Sequence, residues 1–439
     1  MPPKSIWQYK KAHMVGIKGV GMTALAEILL KNGVVLTGSD VKDEFMTDAV
    51  LLGLGVAVAD FDARNINGTG AVIRSNAYGP DNSEVKAAHD RGLPLFSYPE
   101  VVAELFNAHY GVAVAGSHGK TTTTAMLAHI LKFAGKNVTA IVGSKALNWG
   151  TSALAGDLSD ARAPFVLEAD EYKEAFLNYH PHGAIIANID YDHPDYFKSS
   201  QEYENAFAKF IALVPAGGFL VINGDDDVLY KIASHAVCKV IAVSVKTAES
   251  FPLQFPGAHY LFDANLAYQA ALQLGVDGSV ARAALADFKG TARRMELVGQ
   301  RNGMLVFDDY AHHPTEIRAT LAALKGKYPA KKIIAIFQPH TYSRTKALFD
   351  DFGNAFSDAD RVVFADVYPS ARETKEHAAG VDMEKMALIA REGGTDAVCV
   401  KNKDDIPDYL KKILADEKNA VVVTLGAGDV WQVARELIR

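Results

Sequence analysis

The stretch GSHGKTTTT, Gly116 to Thr124, places two glycines, a lysine and a run of threonines at the spacing a phosphate group requires. Glycines let backbone N–H groups close on phosphate oxygens, and the start of a following helix adds a favourable dipole. In such a loop Lys120 reaches the outer phosphates and Thr121 offers its hydroxyl to magnesium. The widespread form G-x-x-x-x-G-K-S/T has a glycine where this chain has Val114, and Gly116 stands two places later. Four consecutive threonines are poor helix formers, so the run answers to something other than helix propensity.

Acids and histidines follow at places where strands should end. VLEADEY carries Glu168, Asp170 and Glu171, and NIDYDHPDYF carries Asp190, Asp192, His193 and Asp195. Carboxylates and a histidine at strand C-termini, in one domain with a phosphate loop, suit a magnesium–nucleotide site. Farther on, FKGTARRMEL holds Arg293 and Arg294, FDDYAHHPTEI holds Asp309, Tyr310, His312 and His313, and FQPHTYSRT holds His340 and Arg344. His313, followed by Pro-Thr-Glu, reads equally as a helix start. A second glycine turn, GIKGVG, has Gly16, Gly19 and Gly21, and Asp40 ends the next strand. Taken alone, this turn fits a nicotinamide dehydrogenase as well as a nucleotide-sugar site.

These residues need elements that bring loop ends together, and the apolar pattern supplies them. HMVGIKGVGMTALAEILLKNGVVLTGSD reads as strand, turn, helix, strand; AVIRSN and LPLFSY read as further strands around the helical SEVKAAHDRG. In the second block an apolar strand enters the phosphate loop, and a helix follows with Met126, Leu127, Ile130 and Leu131 at helical spacing. APFVLEAD, GAIIANID and GGFLVING continue it, and GMLVFDDY, KKIIAIFQPH, RVVFADVY and AVVVTLGAG form a third block. Strands alternating with helices imply parallel sheets. Three successive α/β domains are expected, at residues 1–108, 109–294 and 295–439.

Composition sets the outer bounds. The 439 residues are 49% hydrophobic and 22% charged, enough for several cores, and the net charge of −7 gives no basic field for nucleic acid. Cys238 and Cys399 form no metal or redox spacing, which fits a reduced compartment. The start MPPKSIWQYKKAH has no signal-peptide pattern, and no apolar run reaches the ~18 residues of a membrane span. A soluble cytoplasmic protein is expected, monomer or homodimer.

The loop resembles that of the Mur ligases, ATP-dependent amide-forming enzymes of cell-wall precursor synthesis. Gly116, His118, Gly119, Lys120, Thr121 and Thr122 meet the family form G-x-H/N-G-K-S/T-S/T. The resemblance implies a Rossmann-like first domain, a central P-loop ATPase-like domain and a Rossmann-like third. It implies ATP contacts at Gly116, Ser117, His118, Gly119, Lys120, Thr121, Thr122, Asp263, Arg294 and Asp309, and magnesium at Thr121, Glu168 and His193. One departure stands out. Where the family carries H-N-x-x-N, this chain has Tyr260 and Asp263, with Asn265 two residues late. Adenine recognition is then left to Asp263, Asn265 or backbone groups. Phe207 rather than Lys209 matches the position of a lysine that is carbamylated in some relatives, so no such lysine is expected.

Within the family, the first block resembles the branch whose acceptor is UDP-N-acetylmuramate and whose amine is L-alanine. Gly19, Val20, Gly21 and Asp40, with Ser75 and Asn76 of VIRSNAYGPDNSEV, are implied to hold the UDP-sugar. FQPHTYSRTKALFDDF, DVYPSARE and TLGAGDVW resemble later signatures of that branch, and imply Tyr310, His312, His340 and Arg344 around the amino acid. The catalytic set so implied is Lys120, Glu168, His193, Arg294, His312 and Arg344. Two alternatives remain at this point: a family member that attaches a recycled tripeptide to the same sugar, and a dehydrogenase, which would need neither the ATP loop nor the acid–histidine sites.

Overall fold

The computed structural model describes residues 5–194, 196–369, 373, 378, 380–414 and 419–439. Asp195 and part of DVYPSARE therefore lie outside the described residues. The chain divides into two compact units. The first comprises the residues up to Asp190 with Tyr203–Pro252 and Asp263–Lys289; the second comprises Tyr191–Glu202, Leu253–Phe262 and Gly290–Arg439.

The first unit holds two sheets. One is parallel throughout, in the order Val58–Ala59, Val35–Ser39, Lys11–Val15, Ala71–Arg74, Leu95–Ser97. The other runs Lys239–Val243, Phe219–Asn223, Gly183–Ile186, Tyr110–Ala115, Pro164–Glu168, Thr139–Ala146, Thr151–Leu154. Its inner strands, YGVAVA and GAII, are almost wholly buried, as a strand covered on both faces must be. Its last pair is antiparallel, which the alternation of strands and helices did not announce. The four residues Leu147 to Gly150 are too short for a crossover, and only an antiparallel partner is within their reach.

The two sheets of this unit meet through the helix Val20–Lys31. Asn32 Nδ2 donates to Gly156 O at 3.1 Å, Leu158 N donates to Asn32 Oδ1 at 3.0 Å, and Thr151 Oγ1 donates to Glu27. Burial raises the Glu27 carboxyl to about 7, against the opposing effect of Thr151.

The second unit is one six-stranded sheet, in the order Glu296–Arg301, Met304–Asp309, Ala420–Leu425, Lys332–Phe337, Arg361–Phe364, Asp396–Cys399. Alternation along KIIAIF sends Ile333, Ala335 and Phe337 into one apolar cluster and Ile334 and Ile336 into the other. Both faces are thus covered, as a parallel sheet demands. Among the described strands only the first pair is antiparallel. It turns on Asn302-Gly303, both at positive φ (51° and 86°), the dipeptide that a two-residue hairpin favours.

Candidate active site

The phosphate loop leaves the strand Tyr110–Ala115, which lies between Gly183–Ile186 and Pro164–Glu168. Loops after all three strands therefore converge at one end of the sheet, where an open α/β sheet binds ligands. Two glycines are required here for stated reasons. Gly116 has φ 131°, and a Cβ there would meet Ala187 N at 3.0 Å; Gly119 has φ 80°, and a Cβ would fall 2.5 Å from Asp263 Oδ1. Asn188 pins the loop from the neighbouring strand: His118 N donates to its Oδ1 at 2.8 Å, and its Nδ2 donates to His118 O at 3.1 Å. Thr121, Thr122, Thr123 and Thr124 all lie buried in the helix Lys120–Phe133. Packing supplies what their propensity lacks.

Lys120 folds back over the loop. Its Nζ donates to Gly116 O at 2.5 Å and to Glu171 Oε2 at 2.9 Å. Burial alone would lower this ammonium; Glu171, with Asp170 and Glu168 beyond it, outweighs burial and raises it, so Lys120 stays charged. Glu171 is 1% exposed and also accepts from Tyr203 Oη at 3.2 Å, whose hydroxyl lies 2.8 Å from Ser117 Oγ. Glu168 accepts from Thr121 Oγ1 at 2.8 Å and from Gly143 N at 2.6 Å. A hydroxyl and a carboxylate side by side at the loop are the hard oxygen donors that magnesium takes, so these residues fit that ion. Lys209 is surface-lying and donates to Glu174 at 2.8 Å.

Asp263 stands against Gly119, within the nucleotide loop. Asn265 does not: its amide accepts from Glu249 N at 2.8 Å and donates to Glu249 O at 3.0 Å, so both ends of it hold that backbone.

At the first sheet, the helix Val20–Lys31 starts after Gly19, an N-cap that makes no side-chain cap hydrogen bond, with Val20 and Gly21 in its first turn. Asp40 is a brace, accepting from Lys18 N at 2.7 Å and from Tyr78 Oη at 2.9 Å. Ser75 Oγ accepts from Ala77 N at 3.3 Å, and Asn76 is exposed. Beneath lies a buried group that sequence reading missed: His13, Ser39 and Glu84, with Asn65 donating to Glu84 Oε1 at 2.6 Å. Nothing in its sequence spacing announces it, because its members come from four separate segments.

The remaining predicted residues belong to the second unit. The two adjacent arginines divide their work. Arg293 is buried, paired with Asp308 at 3.0 Å, and donates to Gly426 O at 2.5 Å, which makes it structural. Arg294 lies over the Tyr310 ring at 5.2 Å and 3.6 Å from Glu316. Asp309 accepts from Met295 N and Ala311 N, each at 2.8 Å, and burial raises its carboxyl to about 6. His313 caps the helix Pro314–Lys327. His312 Nδ1 is 3.0 Å from Tyr310 O; burial pushes its imidazole down to about 3 despite Glu316. His340 stacks on Tyr368 and is lowered to about 4, by burial and then by Arg344.

Arg344 sits on the short helix Tyr342–Ala347, started by Thr341 at φ 64°, and pairs with Asp192. Burial would raise the Asp192 carboxyl, but Arg344, His193 and His312 together outweigh it and hold it well below the usual carboxylate range. His193, next in sequence, is held at φ 57°. Residues such as Arg293, Met295, His193 and Thr341, all left-handed without being glycine, mark where this unit holds strain, as functional loops do.

The neutral histidines make a testable demand on stability. His259 is lowered to about 4, by burial and then by Arg294. In the unfolded chain it titrates near ~6.5, so between about 4 and 6.5 the unfolded state binds more protons. Stability is complete above that window and is lost as pH falls through it. Unfolding in urea at pH 7, 6 and 5 is expected to show His259→Gln less acid-sensitive than the parent, by up to about tenfold in the folded-to-unfolded ratio per pH unit. Equal sensitivity of the two would mean that His259 titrates alike in the folded and unfolded chain.

A phosphate loop at the switch point of a largely parallel sheet, its lysine, threonine and carboxylate in contact, defines a P-loop nucleotide-using enzyme. Three family models match the chain: Mur ligase family, catalytic domain, over residues 11–110; Mur ligase middle domain, over 114–271; and Mur ligase, glutamate ligase domain, over 293–428. The chain belongs to the Mur ligase family. It is 38% identical over 451 residues to the UDP-N-acetylmuramate–L-alanine ligase of Clostridium acetobutylicum, covering 97% of this chain and 96% of that one. Its fold is similar to a crystal structure of the UDP-N-acetylmuramate-alanine ligase of Thermotoga maritima, at TM-score 0.80 and 26% identity over 98% of each chain. It is also similar to a murein peptide ligase from Psychrobacter arcticus, at TM-score 0.72 and 25% identity over 98% of each chain. No described helix is long and apolar enough to cross a membrane.

Proposed function

We propose that this chain is the ATP-dependent ligase that joins L-alanine to UDP-N-acetylmuramate in peptidoglycan precursor synthesis. The observation that carries the reading is the 38% identity, over nearly the whole length, to a ligase of that name. The contact of Lys120, Thr121, Glu168 and Glu171 around one phosphate loop supports it.

A carboxylate is a poor electrophile. Its oxygen first takes the γ-phosphoryl of ATP, releasing ADP and leaving an acyl phosphate. The alanine amine then attacks the carbonyl carbon, and the C–O bond to phosphate breaks as the amide forms. Negative charge gathers on oxygens throughout, so the protein's part is mainly positioning and cationic stabilisation. Lys120 and Arg294 supply positive charge. Thr121, Glu168 and His193 would hold magnesium, which when bound neutralises phosphate charge.

In this reading residues 1–108 bind the UDP-sugar through Gly19, Val20, Gly21, Asp40, Ser75 and Asn76. Residues 109–294 bind ATP through Gly116 to Thr122, with Asp263 and Arg294, and Asp309 of the next domain assists. Adenine falls to Asp263 or to backbone groups, since Asn265 is engaged elsewhere. Residues 295–439 take the amino acid, with Arg344 on its carboxylate and Tyr310, His312 and His340 around it. ATP and a UDP-linked acceptor imply a cytoplasmic location.

Phosphate release from ATP with UDP-N-acetylmuramate and each of the twenty amino acids tests the reading. L-Alanine is expected to be fastest. Glycine and L-serine should trail by about 10- to 200-fold, the discrimination that one methyl or hydroxyl allows. Release that needs a tripeptide and ignores L-alanine would establish the recycling activity instead.

A further inference from the structure

Within the second unit, Asp192 and Arg344 form a buried pair, 7% and 8% exposed, from segments 152 residues apart. The two oxygens of Asp192 are used unequally. Oδ1 accepts from His193 N at 2.7 Å, Arg344 Nε at 3.2 Å and Arg344 Nη2 at 3.1 Å. Among the described residues Oδ2 accepts a single hydrogen bond, from Arg344 Nη2 at 3.2 Å, with His193 Nε2 at 3.9 Å. On the arginine the Nε–Nη2 edge is taken, and among the described residues Nη1 donates no hydrogen bond. Among the described residues the pair thus keeps acceptor capacity on Oδ2 beside donor capacity on Nη1.

A free α-amino acid is the ligand that matches this pattern, a carboxylate two bonds from an ammonium. An arginine alone reads only half of it. We propose that Asp192 and Arg344 read the substrate zwitterion together, with Asp192 Oδ2 accepting from the α-ammonium while Arg344 Nη1 donates to the α-carboxylate. This rests on the alanine-ligase reading above and adds to it a residue that selects amino acids over simple carboxylic acids. The mutual bonds hold both groups in place before the ligand arrives, so little side-chain freedom is lost on binding.

L-Lactate, which keeps the carboxylate and the methyl but has a hydroxyl for the ammonium, isolates the claim. Affinities are measured by calorimetry on the full chain with UDP-N-acetylmuramate and a non-hydrolysable ATP analogue. The parent protein is expected to bind L-alanine at least about tenfold more tightly than L-lactate, as a charge-assisted pair requires. Asp192→Asn is expected to weaken L-alanine by about 10- to 100-fold and L-lactate by less than about threefold, so that the preference collapses. Asp192→Glu should recover part of it.

A parallel loss of both ligands would mean that Asp192 only orients Arg344, and would overturn the proposal; so would unchanged affinities. If Asp192→Asn fails to fold, the parent still decides, because equal binding of lactate and alanine refutes the claim without any variant. Failure of the underlying function would look different: no L-alanine binding and no alanine-dependent phosphate release.

Discussion

Lys120→Ala is expected to lower ATP-dependent phosphate release by at least about 100-fold, the scale at which a positioned charge stabilises developing oxyanions. The structure adds a second consequence. Lys120 is a counter-ion of Glu171, which is 1% exposed, and the substitution removes that ammonium from a buried carboxylate. Stability should therefore fall as well, by about 3–5 kcal/mol if Glu171 stays ionised. Lys120→Ala combined with Glu171→Gln removes both charges and separates the two effects. The double variant should regain much of the melting temperature and none of the phosphate release. Turnover above about a tenth of the parent's in either variant would take Lys120 out of the reaction.

Arg344→Ala is expected to raise the KM for L-alanine by about 10- to 150-fold while that for ATP stays nearly constant, since a charge-assisted bond to a carboxylate is lost. Arg344→Lys should recover only part. An ammonium holds Asp192 by charge but cannot keep one edge on it while turning the other outward, as a planar guanidinium does. Initial rates at saturating UDP-sugar, with each of the other two substrates varied, make the test. A rise in the ATP constant with none for alanine would move Arg344 to the nucleotide site.

Elements with strong local patterns could be read without coordinates. AVAGSHGKTTTT, with an apolar strand before it and helical spacing after, forms the strand, loop and helix that its composition implies. His313 caps a helix, as His-Pro-Thr-Glu suggested. Asn302-Gly303 is a hairpin signal in plain view, but the strand before it, ELVGQR, has too few apolar residues to show as one. The edge strand Thr151–Leu154 escapes a sequence reading for a different reason. Its direction depends on how far four loop residues can reach, which periodicity does not encode.

Sequence alone determined the kinds of chemistry present: a phosphate loop, acids at strand ends, arginines near the start and middle of the last third, and the family these belong to. Those are local properties, set by residue type and short spacing. Tertiary structure decided the partners. Glu168 meets Thr121, Glu171 meets Lys120, Arg293 meets Asp308, and Asp192 meets Arg344. Each of these pairs except Arg293–Asp308 joins segments nearly fifty residues apart or more, and many acids in the chain could have served each cation equally by sequence. Burial makes the choice, because a charge removed from water is tolerated only where the fold delivers its opposite within hydrogen-bond reach.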